Sequence, residues 1–138
     1  MSWSERSESE PRTFSLHEAN SLIPTLEREL VRVKGCQRTL RAIQGDIRRA
    51  SHAAEFGGGS VAGALYVDTL EQMSNSLRIL QETGVLIKDL DRGLCDFPHR
   101  IGAKTVLLCW QLGEATVEWW HDLNTGFQGR RPIDLLPE

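Results

Sequence analysis

Two short stretches in the C-terminal half of the chain hold most of the side chains able to do chemistry. The first, Lys88-Asp89-Leu90-Asp91-Arg92-Gly93-Leu94-Cys95-Asp96-Phe97-Pro98-His99, gathers carboxylates, a thiol and an imidazole around a turn. If the flanking pieces are strands, Asp89 and Asp91 share one face while Leu90 points to the other, so paired carboxylates project from a rigid element. Such a pair can hold a hard divalent cation, or split its pKa values between acid and base roles. The competing reading of Asp91-Arg92-Gly93 is a plain surface turn, because Asp and Gly favour turns for local reasons.

The second stretch is Val117-Glu118-Trp119-Trp120-His121-Asp122-Leu123. Strand alternation sets Val117, Trp119 and His121 on one face and Glu118, Trp120 and Asp122 on the other. Asp89, Asp91 and His121 then form a candidate site for a divalent metal ion, with imidazole and carboxylate together suiting iron, manganese or zinc. Asp96, Glu114, Glu118 and Asp122 extend the polar cluster. The competing reading of His121 is a hydrogen-bonded histidine beneath an aromatic lid, and no H-x-x-x-H spacing strengthens the metal pattern. Trp110, Trp119 and Trp120 read first as packing residues, each with an N–H that needs an acceptor. Exposed, Trp110 and Trp120 together with Arg92 would instead mark a binding surface.

Other chemistries lack their motifs. There is no G-x-S-x-G elbow, and Gly57-Gly58-Gly59-Ser60 lacks the lysine of a phosphate loop. The formal net charge of -3 argues against a nucleic-acid coat protein. The basic run Arg28, Arg32, Lys34, Arg38, Arg41, Arg48 and Arg49 falls mostly off the apolar seam, without the interleaved aromatics that stack on bases. No apolar stretch is long enough to cross a bilayer, and the opening MSWSERSESEPR has no apolar signal core, which predicts a cytoplasmic protein without membrane contact. Cys36, Cys95 and Cys109 form an odd set without C-x-x-C spacing, which predicts reduced thiols.

The candidate residues need a scaffold, and 138 residues with 40% apolar content suffice for one domain. Residues 1–13 are too polar to offset their ordering entropy and read as a disordered tail. Ser15-Leu16-His17-Glu18 has the form of a capping box, with Phe14 as a hydrophobic staple. From there Leu16, Ala19, Ile23, Leu26, Leu30, Val33, Gln37, Leu40, Gln44 and Ile47 recur three and four apart, predicting a long helix with Pro24 inside it. After the mobile loop expected at the glycine triplet, Tyr66, Leu70, Met73, Leu77 and Leu80 restore a seam that ends at Gly84. Residues 14–84 therefore read as an antiparallel helical hairpin.

Beyond Gly84 the period shortens. Val85-Leu86-Ile87, Gly93 to Phe97, Lys104 to Trp110 and Thr116 to Asp122 are β-branched or aromatic, and turn residues separate them. Residues 85–123 are expected to form a three- or four-stranded antiparallel sheet, with 133–138 frayed. The fold class is α+β: a single domain over 14–132, in which the hairpin packs on the sheet.

The strings Phe14-Ser15-Leu16-His17-Glu18-Ala19-Asn20, Lys88 through Pro98, Leu108-Cys109-Trp110-Gln111-Leu112-Gly113-Glu114 and Trp120-His121-Asp122-Leu123, with Gly126-Phe127 and Gly129-Arg130, resemble a known family. It is the prokaryotic family of uncharacterised proteins, domain of unknown function 2203. The resemblance runs from about Phe14 to Pro132 and implies a small prokaryotic protein with no assigned activity, so no catalytic residues carry over. Two functions remain open. The seams favour an interaction or accessory protein, non-enzymatic, that pairs with itself as a homodimer or with another protein through its hairpin. The alternative is a divalent-metal protein or enzyme using Asp89, Asp91 and His121.

Overall fold

A computed structural model describes residues 12–51 and 59–137. Helix α1 spans Leu16–Ser51 and helix α2 Gly59–Glu82. Strands β1 (Leu86–Asp89), β2 (Leu94–Ile101), β3 (Lys104–Gln111), β4 (Trp119–His121) and β5 (Arg131–Pro132) follow. The class is α+β as expected, with five strands rather than three or four. The additional strand is the two-residue β5, too short to leave a period in the sequence. Most of the expected tail, and Gly57 and Gly58 of the glycine triplet, lie outside the described residues, whereas Gly59 and Ser60 open α2. The chain divides into two compact units, one comprising the described residues up to Glu27 together with Gln81 onward, the other Arg28–Leu80.

In the first unit the start of α1 is fixed by the capping box. Glu18 N–H donates to Ser15 Oγ at 3.0 Å and Ser15 N–H donates to Glu18 Oε1 at 2.9 Å. The Ser15 backbone bond holds the Glu18 carboxyl below its ordinary pKa. Phe14 is buried and meets Phe97 edge to face, with centroids 5.5 Å apart. Its N–H donates to the Pro98 carbonyl at 2.7 Å, and Asn20 Oδ1 accepts from Val117 N–H at 2.7 Å. Arg12, at the edge of the described residues, donates to the Thr83 carbonyl at 2.8 Å.

The sheet is an antiparallel meander in the order β1-β2-β3-β4-β5. Its centre is the β2–β3 hairpin, which closes on Gly102-Ala103 with Ile101 opposite Lys104. Gly102 has φ +61° and Ala103 is not left-handed, as a two-residue type II′ turn requires. Val106 to Trp110 are all buried, so β3 is covered on both faces. The register sets Cys95, Phe97, Leu108, Trp110 and Trp120 on one face, and Asp96, Leu107, Cys109, Trp119 and His121 on the other.

The β1–β2 connection departs from simple alternation. The register slips between Ile87 and Asp89, β1 ends at Asp89, and Asp91 lies in the turn, so the two carboxylates do not share a strand face. Asp89 Oδ1 instead accepts the Arg92 N–H at 3.1 Å. Gly93 closes the turn at φ +65°, and a Cβ there would sit 2.4 Å from Leu112 Cβ. Gly93→Ala therefore meets both left-handed strain and a backbone-anchored clash, and is expected to cost about 2–4 kcal/mol in urea unfolding. A loss below about 1 kcal/mol would mean that this turn adapts.

The second unit consists of α1 from Arg28 and α2 up to Leu80. Its buried positions on α1 are Glu29, Leu30, Val33, Cys36 and Ile43, and on α2 Thr69, Ser76 and Leu80. Burial raises the Glu29 pKa, but bonds from Arg28 at 2.8 Å and Arg32 at 3.3 Å outweigh it, so the carboxyl lies below its ordinary value. The inward seam of α2 is offset by one residue from the apolar spacing: Thr69 and Ser76 are buried, whereas Leu70 and Leu77 are 37% and 38% exposed. No helix among the described residues is long and apolar enough to cross a membrane.

Candidate functional site

The three central strands bring one carboxylate, one thiol and one imidazole together. Asp96 on β2 and Cys109 on β3 are direct cross-strand partners. His121 on β4 pairs with Leu107, two residues from Cys109 on the same face, and is therefore the diagonal neighbour of the thiol. One ligating atom from each of Asp96, Cys109 and His121 lies within 4.8 Å of the other two, and all three residues are buried. This is the cluster of metal-ligand type found among the described residues.

Hydrogen bonding fixes the histidine. Nδ1 lies 2.8 Å from the backbone carbonyl of Asp122, which can only accept, so Nδ1 carries a proton. In a neutral ring the Nε2 lone pair then faces Asp96 Oδ1 at 3.2 Å. Two acceptors at that separation are stable only with a proton or a cation between them. A histidine held through Nδ1 by a carbonyl, with Nε2 aimed at a carboxylate, has the orientation of a metal ligand with its outer partner in place. That partner is itself tethered. The Asp122 carboxylate pairs with Lys104 at 3.0 Å and Arg131 at 3.2 Å, and the Lys104 bond leads the causes that lower its pKa.

Burial pushes the Cys109 thiol up to about 12, and the Asp96 charge adds to the effect. The metal-free thiol is thus a neutral donor to Asp96. It is not an activated nucleophile, because both nitrogens of the nearby imidazole are committed elsewhere. Cys95, on the opposite face, is also pushed up to about 12, chiefly by burial, and its Sγ lies 3.9 Å from the Gly93 carbonyl.

These shifts carry a pH dependence. Both folded-state values lie above the ordinary 9.0. The stability due to the protonated thiols is therefore complete below pH 9 and is lost as pH rises toward 12. The metal-free protein is expected to lose about 1.4 kcal/mol per pH unit per thiol in that window. Urea unfolding between pH 8 and 11 checks it, with Cys95→Ala and Cys109→Ala each expected to flatten the slope.

A cavity of about 260 Å³ opens on Asp96 and His121. Leu94, Leu107, Leu123 and Phe127 supply its apolar walls, and Lys88 also lines it. The C-terminal segment that contributes Phe127 is clamped by Arg130. The guanidinium reaches both Glu114 oxygens at 2.9 and 3.0 Å and lies 4.5 Å from the Phe127 ring centroid and 5.0 Å from that of Trp119. Glu114 also accepts the Gln111 N–H at 2.6 Å.

The other sequence candidates lie apart from this cluster. Asp89 caps a turn, Asp91 is exposed within it, and Glu114 serves the clamp. Glu118 is exposed and lends its carbonyl to Ile133 N–H at 2.8 Å. Asp122 contributes its backbone rather than its carboxylate. Trp110 and Trp120, the two aromatic candidates for a binding surface, are 0% and 4% exposed and form part of the core. Their indole N–H groups donate to the carbonyls of Glu114 at 2.9 Å and Pro132 at 3.0 Å. Arg92 is exposed and lies 4.8 Å from the Phe127 ring.

Cys109 is the ligand candidate that residue spacing alone did not single out. The available signal was Gly102-Ala103: a two-residue turn there puts Ile101 opposite Lys104 and, five pairs further on, Asp96 opposite Cys109.

No curated protein and no solved structure matches the chain. The family described as an uncharacterized conserved protein, DUF2203, matches residues 12–133, nearly the full length, and the chain with its Asp96, Cys109 and His121 cluster belongs to that family.

Proposed function

We propose that this protein binds one divalent transition-metal ion through Asp96, Cys109 and His121. The observation that carries the reading is the buried convergence of His121 Nε2 and Asp96 Oδ1, 3.2 Å apart, with the Cys109 sulfur within 4.8 Å of both residues' ligating atoms. The mixed nitrogen, oxygen and sulfur set suits zinc, whose tetrahedral N···O edge is about 3.3 Å for bonds of about 2.0 Å. Three protein ligands beside a cavity match the pattern of a zinc site that keeps one position for an exogenous ligand. Three buried, unbridged thiols fit a cytoplasmic setting. Elemental analysis of untagged protein, reconstituted with zinc and dialysed, is expected to give one equivalent per chain. A residual content below about one fifth of an equivalent would overturn the reading.

A second reading is favoured by α2. Val67, Leu70 and Leu77 are exposed at helical spacing beside the buried seam, and a second copy of the chain is the partner that would cover them. Light scattering is expected to give a dimer that Leu70→Glu converts to a monomer. A monomeric wild type at every concentration would contradict it.

A further inference from the structure

Resting on the metal reading, we infer that the cavity beside the cluster takes a small monoanion with an apolar body, its anionic group at the open metal position and near Lys88. The charges decide the sign of the ligand. A divalent ion, the Asp96 carboxylate, a Cys109 thiolate and a neutral His121 sum to zero. Lys88 is the one remaining charged side chain among the described residues lining the cavity, so a bound monoanion leaves the site neutral.

The walls decide the body. Leu94, Leu107, Leu123 and Phe127 offer no polar side-chain atom, so they would accept hydrocarbon. The volume decides the size. At about 260 Å³ the cavity lies below the usual range for drug-sized ligands, so it suits a small molecule. A short-chain or aromatic monocarboxylate has these properties, whereas a dicarboxylate, a sugar or a nucleotide does not. The two roles separate by residue, since Asp96, Cys109 and His121 hold the ion while Lys88 touches only the ligand.

The probe is benzoate, titrated calorimetrically into the full-length chain after its zinc content has been measured. Zinc-loaded protein is expected to bind one benzoate per chain and to bind neutral benzamide at least tenfold more weakly. Lys88→Gln is expected to weaken benzoate at least fivefold while retaining full zinc occupancy. Stoichiometric zinc with no benzoate binding, or with benzamide bound equally well, overturns this inference and leaves the metal reading standing. Benzoate binding that survives zinc removal unchanged also overturns it. Failure to hold zinc removes both.

Discussion

His121→Ala is expected to weaken zinc binding by more than about 100-fold, because loss of an outer partner of a metal ligand alone costs about 10–100-fold. Cys109→Ser is expected to act as strongly, since a hydroxyl is a poor ligand where a thiolate was. Asp96→Asn keeps the shape and removes the charge, so it should fall between these variants and wild type. The internal control is Cys95→Ser. Cys95 is as buried as Cys109 and its thiol is as strongly perturbed, but it points to the opposite face of the sheet. Its replacement is expected to leave zinc affinity unchanged. Competition against a chromophoric chelator reads the affinities, and far-ultraviolet dichroism verifies that each variant is folded. The proton on Cys109 adds a signature. With the thiol pushed up to about 12, binding must displace one proton, so the wild-type affinity rises about tenfold per pH unit between pH 7 and 9. Cys109→Ser loses that component.

Arg130→Ala is the second large expected effect, and it concerns stability. The Arg130 side chain is 14% exposed and that of Glu114 23%, so water screens their ion pair only in part. Its removal leaves Glu114 a partly buried carboxylate that keeps the Gln111 N–H, and strips the Arg130 cation from the rings of Trp119 and of Phe127, which retains Arg92. Breaking a half-buried pair together with two cation–π contacts is expected to cost about 2–4 kcal/mol. For a chain of this size that lowers Tm by roughly 6–14 °C. Calorimetry checks the shift, and Glu114→Gln should cost less because the amide still accepts. A Tm within about 2 °C of wild type would mean that the C-terminal segment is held by something other than this clamp.

Local features were legible in the sequence, and pairings between distant positions were not. The capping box at Ser15 and the helical periods of α1 and α2 depend on neighbours three or four residues apart, and the structure realises both. The β2–β3 hairpin was visible as two apolar runs, but its register depends on the turn. Without that register Asp96 and Cys109 were two unrelated residues, thirteen positions apart. Asp89 and Asp91 failed to share a face because β1 bulges and stops before the second carboxylate, and alternation holds only while a strand continues. Leu70 and Leu77 looked like core because apolar spacing cannot distinguish an inward stripe from its neighbour. Thr69 and Ser76 are small enough to take the inward positions.

Whether the Cys109 sulfur binds metal can be read from the absorption spectrum of the Co(II)-substituted protein, since four-coordinate cobalt with a thiolate ligand differs from the hydrated ion in both its visible and near-ultraviolet bands. Wild type is expected to show intense visible bands and a sulfur-to-cobalt charge-transfer band. The charge-transfer band should be absent from Cys109→Ser and present in Cys95→Ser. A spectrum identical to that of free aqueous cobalt, or a charge-transfer band that persists in Cys109→Ser, would contradict an Asp96, Cys109 and His121 metal site.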